Sequence, residues 1–99
     1  MATGKRVVAR PLPAVSQIRS AADLGAFVVA LRTNAGMSRQ QAALWCGVSI
    51  QFLSDVEHGK STLQFDRTLQ VAMQLGLQLD ATCAGRPKTV AEPSTPYES

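Results

Sequence analysis

Ser38–Glu57 reads SRQQAALWCGVSIQFLSDVE, and twice within it a serine stands ahead of a run suited to a helix. Ser38 is followed three residues later by Gln41, an S-x-x-Q capping box in which each side chain takes the other's free backbone amide. Ala42, Ala43 and Cys46 give that first helix a narrow face of small residues, which permits close approach. Gly47 can take the positive φ that ends it. Ser49 then caps a second helix, whose inward residues are Leu53 and Val56 and which stops at Gly59. Gln51, Ser54 and Asp55 fall on the side facing away, and packing alone does not require that polar face.

The same signals extend outward. In SAAD, Ser20 precedes Asp23 in a variant of the box, and Leu24, Phe27, Val28 and Leu31 follow at i, i+3, i+4 and i+7, so a helix is predicted up to Gly36. Another is predicted from about Phe65 to Gly76, burying Leu69, Ala72, Met73 and Leu75. After Gly76 the period changes to two. LQLDATC alternates Leu77, Leu79, Ala81 and Cys83 against polar residues, which predicts a half-buried strand. A lone strand needs a ladder partner, supplied either by RVVAR near the N-terminus or by a second copy of the chain. Pairing of Leu77, Leu79 and Ala81 across a homodimer is the economical solution. The expected fold is all-α: a compact bundle of four to five helices plus a short C-terminal strand pairing across a homodimer.

Composition sets the limits. Ninety-nine residues, 45% hydrophobic and 17% charged, suit one domain with loose ends. The expected division is a flexible basic arm over residues 1–19, a core domain over 20–84 and a disordered tail over 85–99, rich in Pro, Ser and Thr. The net charge of +3 lies wholly in the arm, where Lys5, Arg6, Arg10 and Arg19 meet no acid. No apolar stretch approaches the roughly 20 residues that span a bilayer. MATGKRVVARPLPAV lacks the apolar run of a secretory signal, so it is expected to be retained, in a cytoplasmic protein with no membrane contact. Cys46 and Cys83 show no C-x-x-C spacing and are expected as free thiols. The single histidine, His58, has no nucleophile or paired carboxylate beside it in sequence, and no metal-ligand spacing or phosphate loop occurs. No enzymatic activity, catalytic residue, metal or cofactor is therefore expected.

Two short helices joined by a glycine turn have the form of a helix-turn-helix, in which the start of the second helix enters the major groove of double-stranded DNA. Ile50, Gln51, Ser54 and Asp55 would then face base edges. Gln51 can pair bidentately with adenine, Ile50 can touch a thymine methyl, Ser54 can donate or accept, and Asp55 can accept from cytosine or simply repel phosphate. Phosphate contacts are expected at Ser38, Arg39 and Gln40, where exposed amides open the first helix, and at Lys60 and Ser61 beyond the second. Lys5, Arg6 and Arg10 are candidates for an arm reaching into the adjacent minor groove.

The stretch AGMSRQQAALWCGVSIQFLSDVEHGKSTLQFDRTLQVAMQLGLQL resembles the xenobiotic-response-element (Cro/phage-repressor) helix-turn-helix family, and within it the HipB-like antitoxins. The resemblance covers about residues 20–83. It implies a dimeric helical bundle that represses its own operon at a palindromic operator and binds a HipA-type kinase toxin as part of a toxin–antitoxin system. It also implies an intersubunit sheet formed by the strand after the last helix. Groove-facing positions of the family fall on Ser49, Ile50, Gln51 and Ser54, and its backbone clamp falls on Arg39. The family's structural ion pair falls on Arg32 and Glu57. Trp45 and Ala42 depart from the family's usual residues, and Trp45 is expected to pack on Phe52. A stand-alone helix-turn-helix regulator without a toxin partner stays open as the alternative.

Overall fold

A computed structural model describes residues 6–14, 17–83 and 85. It contains α1 (Ala21–Asn34), α2 (Arg39–Cys46), α3 (Ile50–Glu57) and α4 (Phe65–Gln74), with no fifth helix and no strand among the described residues. The architecture is all-α.

Serine side chains start three of the four helices. Ser20 Oγ accepts from the Asp23 amide at 3.2 Å. The return bond is displaced by one residue, because Asp23 accepts from the Arg19 amide at 2.8 Å. The α2 box is closed in both directions: the Gln41 amide donates to Ser38 Oγ at 3.1 Å, and the Ser38 amide donates to Gln41 Oε1 at 2.8 Å. Ser49 Oγ accepts from the Phe52 amide at 2.9 Å. Gly47, at φ +70°, makes the left-handed turn between α2 and α3 that lets them pack at an angle. Only α4 begins without a side-chain cap, at Gln64.

The core joins Leu24 and Val28 of α1, Ala42, Ala43 and Cys46 of α2, Leu53 and Val56 of α3, and Val71 and Ala72 of α4. Leu53, Val28 and Val71 are its largest fully buried side chains, each contributing about 1.5–3 kcal/mol by leaving water. Gly25 decides how closely α1 meets α3. A Cβ there would stand 2.5 Å from the Val56 carbonyl oxygen and 2.8 Å from that of Glu57. Only a residue without a side chain lets the two backbones meet.

Several expectations change. The buried face of α4 is Thr68, Val71 and Ala72; Met73 is exposed and Leu69 and Leu75 are half-buried. Thr68 can be buried because its hydroxyl donates to the Gln64 carbonyl at 3.0 Å, which removes the cost of taking it from water. Trp45 is bonded to α4. Its indole N–H donates to the Gln74 carbonyl at 3.3 Å, while Phe52 lies under the Arg67 guanidinium at 5.3 Å. RVVAR forms no strand over its described residues, 6–10. Instead the Arg10 amide donates to Thr33 Oγ1 at 2.9 Å, and the Asn34 side-chain amide donates to the Arg10 carbonyl at 2.6 Å. Ile18 packs against the core, so with Arg19, bonded to Asp23, three residues of the 1–19 arm are tied to the body. Lys5 lies outside the described residues, as does all of the 85–99 tail except Gly85.

Residues 77–83 form no strand in the single chain, where no second row of backbone groups is available for a ladder. Leu77 packs against the core, and Leu79, Ala81 and Cys83 are exposed. Both cysteines are free, and burial pushes the Cys46 thiol above its ordinary pKa. No helix of the described residues is long and apolar enough to cross a membrane.

Candidate nucleic-acid interface

Two helix starts and one loop present the polar residues singled out from the sequence. On α3, Leu53 and Val56 hold the inner face in the core, while Ser49, Ile50 and Gln51 are exposed and Ser54 and Asp55 are half-buried. A helix fixed from beneath in this way projects its first turn outward with little freedom to reorient.

The side chains on that face are ordered by one another. Gln51 Nε2 donates to Asp55 Oδ1 at 2.9 Å, and the other carboxylate oxygen of Asp55 faces Lys60 Nζ at 3.7 Å. The Lys60 amide also donates to the Asp55 carbonyl at 3.0 Å. Asp55 thus fixes the plane of the Gln51 amide and ties down the loop lysine. One Gln51 N–H and its Oε1 remain available, the pair that an adenine edge requires. One turn on, His58 Nδ1 lies 2.7 Å from the Ser54 carbonyl. Carbonyls only accept, so Nδ1 carries the proton. The Ser54 hydroxyl, 3.4 Å from the same nitrogen, has no acceptor there.

At the start of α2 the capping box uses the Ser38 and Gln41 amides. Those of Arg39 and Gln40 meet no acceptor among the described residues, as first-turn amides do not. They are open to an anion, and the partial positive charge of the helix start favours one. Arg39 is held in place beside them: its Nε donates to Glu57 Oε1 at 2.9 Å, with the arginine side chain 45% exposed and the glutamate 1%. Glu57 also receives Arg32, through Nε to Oε2 and through Nη2 to Oε1 at 3.2 Å. Arg32 Nη1 donates in turn to the Met37 carbonyl at 2.9 Å in the α1–α2 turn. One buried carboxylate therefore joins the core pair to the arginine at the α2 start. The sequence reading paired Glu57 with Arg32 alone; the charge at Arg39 was a visible signal, but its bond to Glu57 depends on the angle between α2 and α3.

Lys60, Ser61 and Arg6 are exposed. The side chain of Arg10 is also exposed, although its backbone is anchored to the end of α1 just before the α2 start. Among the described residues no group of three or more His, Cys, Asp or Glu residues is placed to hold a metal ion.

Two capped helices around a left-handed glycine, with the second helix turned outward, define a helix-turn-helix protein. Comparison with known proteins agrees. The model of the helix-turn-helix domain family matches residues 23–82, and the chain belongs to that family of DNA-binding transcription regulators. It is 35% identical over 69 residues to an uncharacterized HTH-type transcriptional regulator, y4mF, of Sinorhizobium fredii, an alignment covering 70% of this chain and 91% of the relative.

Proposed function

We propose that the protein is a sequence-specific repressor of the HipB type: a homodimeric antitoxin that binds a palindromic operator of its own operon and a HipA-type kinase toxin. Gln51 reads a base edge, with Ser49, Ile50 and Ser54 beside it and Asp55 orienting its amide. Ser38, Arg39, Gln40, Lys60 and Ser61 hold the phosphates. Lys5, Arg6 and Arg10 add salt-dependent affinity from the adjoining groove. Residues Leu77, Leu79 and Ala81 pair with their copies across the two-fold axis, giving the ladder that a single chain lacks.

The observation that carries the DNA-reading part is the Gln51–Asp55 bond on the outward face of a helix anchored by Leu53 and Val56. A solvated face would not need its glutamine held in one orientation. Selection from a random duplex library tests it. Gln51→Ala should relax preference at one base position per half-site by about 1–3 kcal/mol. Arg39→Ala should weaken binding to every sequence and lower the salt slope by about one unit. Unchanged selection by Gln51→Ala, together with unchanged affinity and salt slope for Arg39→Ala, would refute the assignment. The kinase partner rests on the family resemblance alone, and its test is recovery of a stoichiometric kinase on purification from the native source. A stand-alone regulator is the second reading, favoured by the description of the Sinorhizobium relative as a transcriptional regulator.

A further inference from the structure

Both oxygens of the Asp55 carboxylate are engaged within the protein. Oδ1 receives the Gln51 side-chain amide at 2.9 Å, Oδ2 faces the Lys60 ammonium at 3.7 Å, and the side chain is 24% exposed. The arrangement is held from two directions. Leu53 and Val56 seat α3 in the core, and the Lys60 amide donates to the Asp55 carbonyl at 3.0 Å, which keeps Lys60 beside the carboxylate. Gln51 is one turn nearer the start of α3 and exposed, so its amide is the part of this cluster that a ligand can meet. An ionised carboxylate only accepts hydrogen bonds. A half turn of the Gln51 amide would therefore set Oε1 against Asp55 Oδ1, two acceptors with no hydrogen between them. One of the two orientations of the amide is compatible with Asp55, and the other is not.

We infer that Asp55 is the positioning residue that sets base specificity: through the Gln51 amide it selects adenine with an unmodified N6 amino group and rejects guanine and N6-methyladenine. The inference rests on the DNA-reading role proposed above for Gln51 and names the base which that role takes. In the orientation that Asp55 permits, Gln51 has one N–H and Oε1 left to offer. Adenine presents N7 as acceptor and N6–H as donor along the major groove, and both find a partner. Guanine presents two acceptors, N7 and O6. One of them meets the free N–H and the other meets Oε1, which leaves two acceptors facing each other out of reach of water. The reversed amide would turn both N–H groups of Nε2 toward the base, as guanine requires, and Asp55 is what forbids it. Methylation of adenine at N6 has the same effect by another route. The amino hydrogen that pairs with thymine must stay, so the methyl group takes the groove-side place, where Oε1 needs a donor.

The experiment uses the full chain as wild type, Gln51→Ala, Asp55→Asn and Asp55→Ala, with circular dichroism to verify the fold. Selection from a random duplex library locates the base position whose preference Gln51→Ala loses. Affinity is then measured by fluorescence anisotropy for duplexes carrying adenine, guanine or N6-methyladenine at that position. The wild type should prefer adenine to guanine by roughly 10-fold or more and lose roughly 10-fold on N6-methylation. An asparagine side chain has the shape of aspartate but can also donate, so Asp55→Asn accommodates either orientation of Gln51, and Asp55→Ala imposes none. Both variants should bring adenine and guanine within about 3-fold of each other and be weakened less by the methyl group. A wild-type preference for guanine at that position overturns the inference. So does an adenine preference that survives both Asp55 substitutions, or a methyl group that leaves wild-type affinity unchanged; each of these outcomes leaves Gln51 a base-reading residue. Failure of Gln51→Ala to alter any position removes the DNA-reading role itself, and the inference with it.

Discussion

The α1–α3 junction and the outer side of α4 are built to opposite tolerances. At the first, backbone touches backbone across Gly25, and a buried carboxylate is held by two arginines. At the second, a helix begins without a side-chain cap and leaves two of its large apolar side chains, Phe65 and Met73, in solvent. The difference tracks what each region is for. Under the proposed function, a helix that presents Gln51 to a rigid duplex must hold its place, whereas an apolar face left in solvent gains packing only when something covers it.

The sharpest way to break the comparison is Gly25→Ala. The added methyl would meet two carbonyl oxygens that belong to a helix backbone and cannot swing aside, so the loss should be about 3 kcal/mol or more. For a domain of this size that lowers the melting temperature by roughly 12 °C or more. Gly36→Ala is the control: its Cβ meets nothing within 4 Å, although φ is +75°, and it should cost only about 1 kcal/mol. Equal losses in thermal unfolding would mean that the α1–α3 contact is not tight.

Glu57→Gln comes next and acts on two sites at once. It leaves the buried Arg32 guanidinium without its carboxylate, at about 3 kcal/mol, and it releases Arg39 at the α2 start. Urea unfolding should show the first effect. Weaker binding to a random duplex, with an unchanged ranking of sequences, should show the second, because phosphate contacts position the protein without reading bases. A variant that unfolds more easily yet binds duplex as well as the wild type would confine Glu57 to the core.

What the sequence revealed follows the same division. Helix starts and stops depend on a residue and its neighbours within one turn, so Ser20, Ser38, Ser49 and Gly47 announce themselves. The inward pair Leu53 and Val56 is equally local, since it follows from a period of 3.6. Gly25 shows only as a glycine inside a helical pattern, a weak sign of close packing; its partners are 31 and 32 residues away, and no local rule names them. Part of the α4 face is legible too, since Ala72 is buried and Leu75 packs on the core, but FDRTLQVAMQ offers two stripes and Met73 lies on the exposed one. The one that is buried includes Thr68, which counts as polar until its hydroxyl is seen bonded to the preceding turn. The tie of Trp45 to Gln74 is hidden for a related reason: periodicity shows which way a side chain points, but not which helix waits there. In the site, the residue types on α3 were legible, while the Asp55 bond that orients Gln51 needed side-chain coordinates.

The smallest effect probes the loose side directly. At the start of α4, Gln64 has extended backbone angles, φ −65° and ψ 121°, and its side chain bonds to no first-turn amide. Its carbonyl already accepts from the Thr68 amide at 3.1 Å and the Thr68 hydroxyl at 3.0 Å, so the helix is begun but its own free donors are left to water. An aspartate at the same angles can reach the amide two or three residues on, and its charge suits the positive end of the helix dipole. Gln64→Asp should therefore raise stability by about 0.5–1 kcal/mol, read as a rise of roughly 3 °C in the melting temperature. Replacing Ser38, whose box is closed in both directions, by alanine should lower it by a similar amount. If Gln64→Asp gave no gain while Ser38→Ala cost as expected, the start of α4 would already be satisfied, and the slack on that side would lie in its exposed apolar stripe alone.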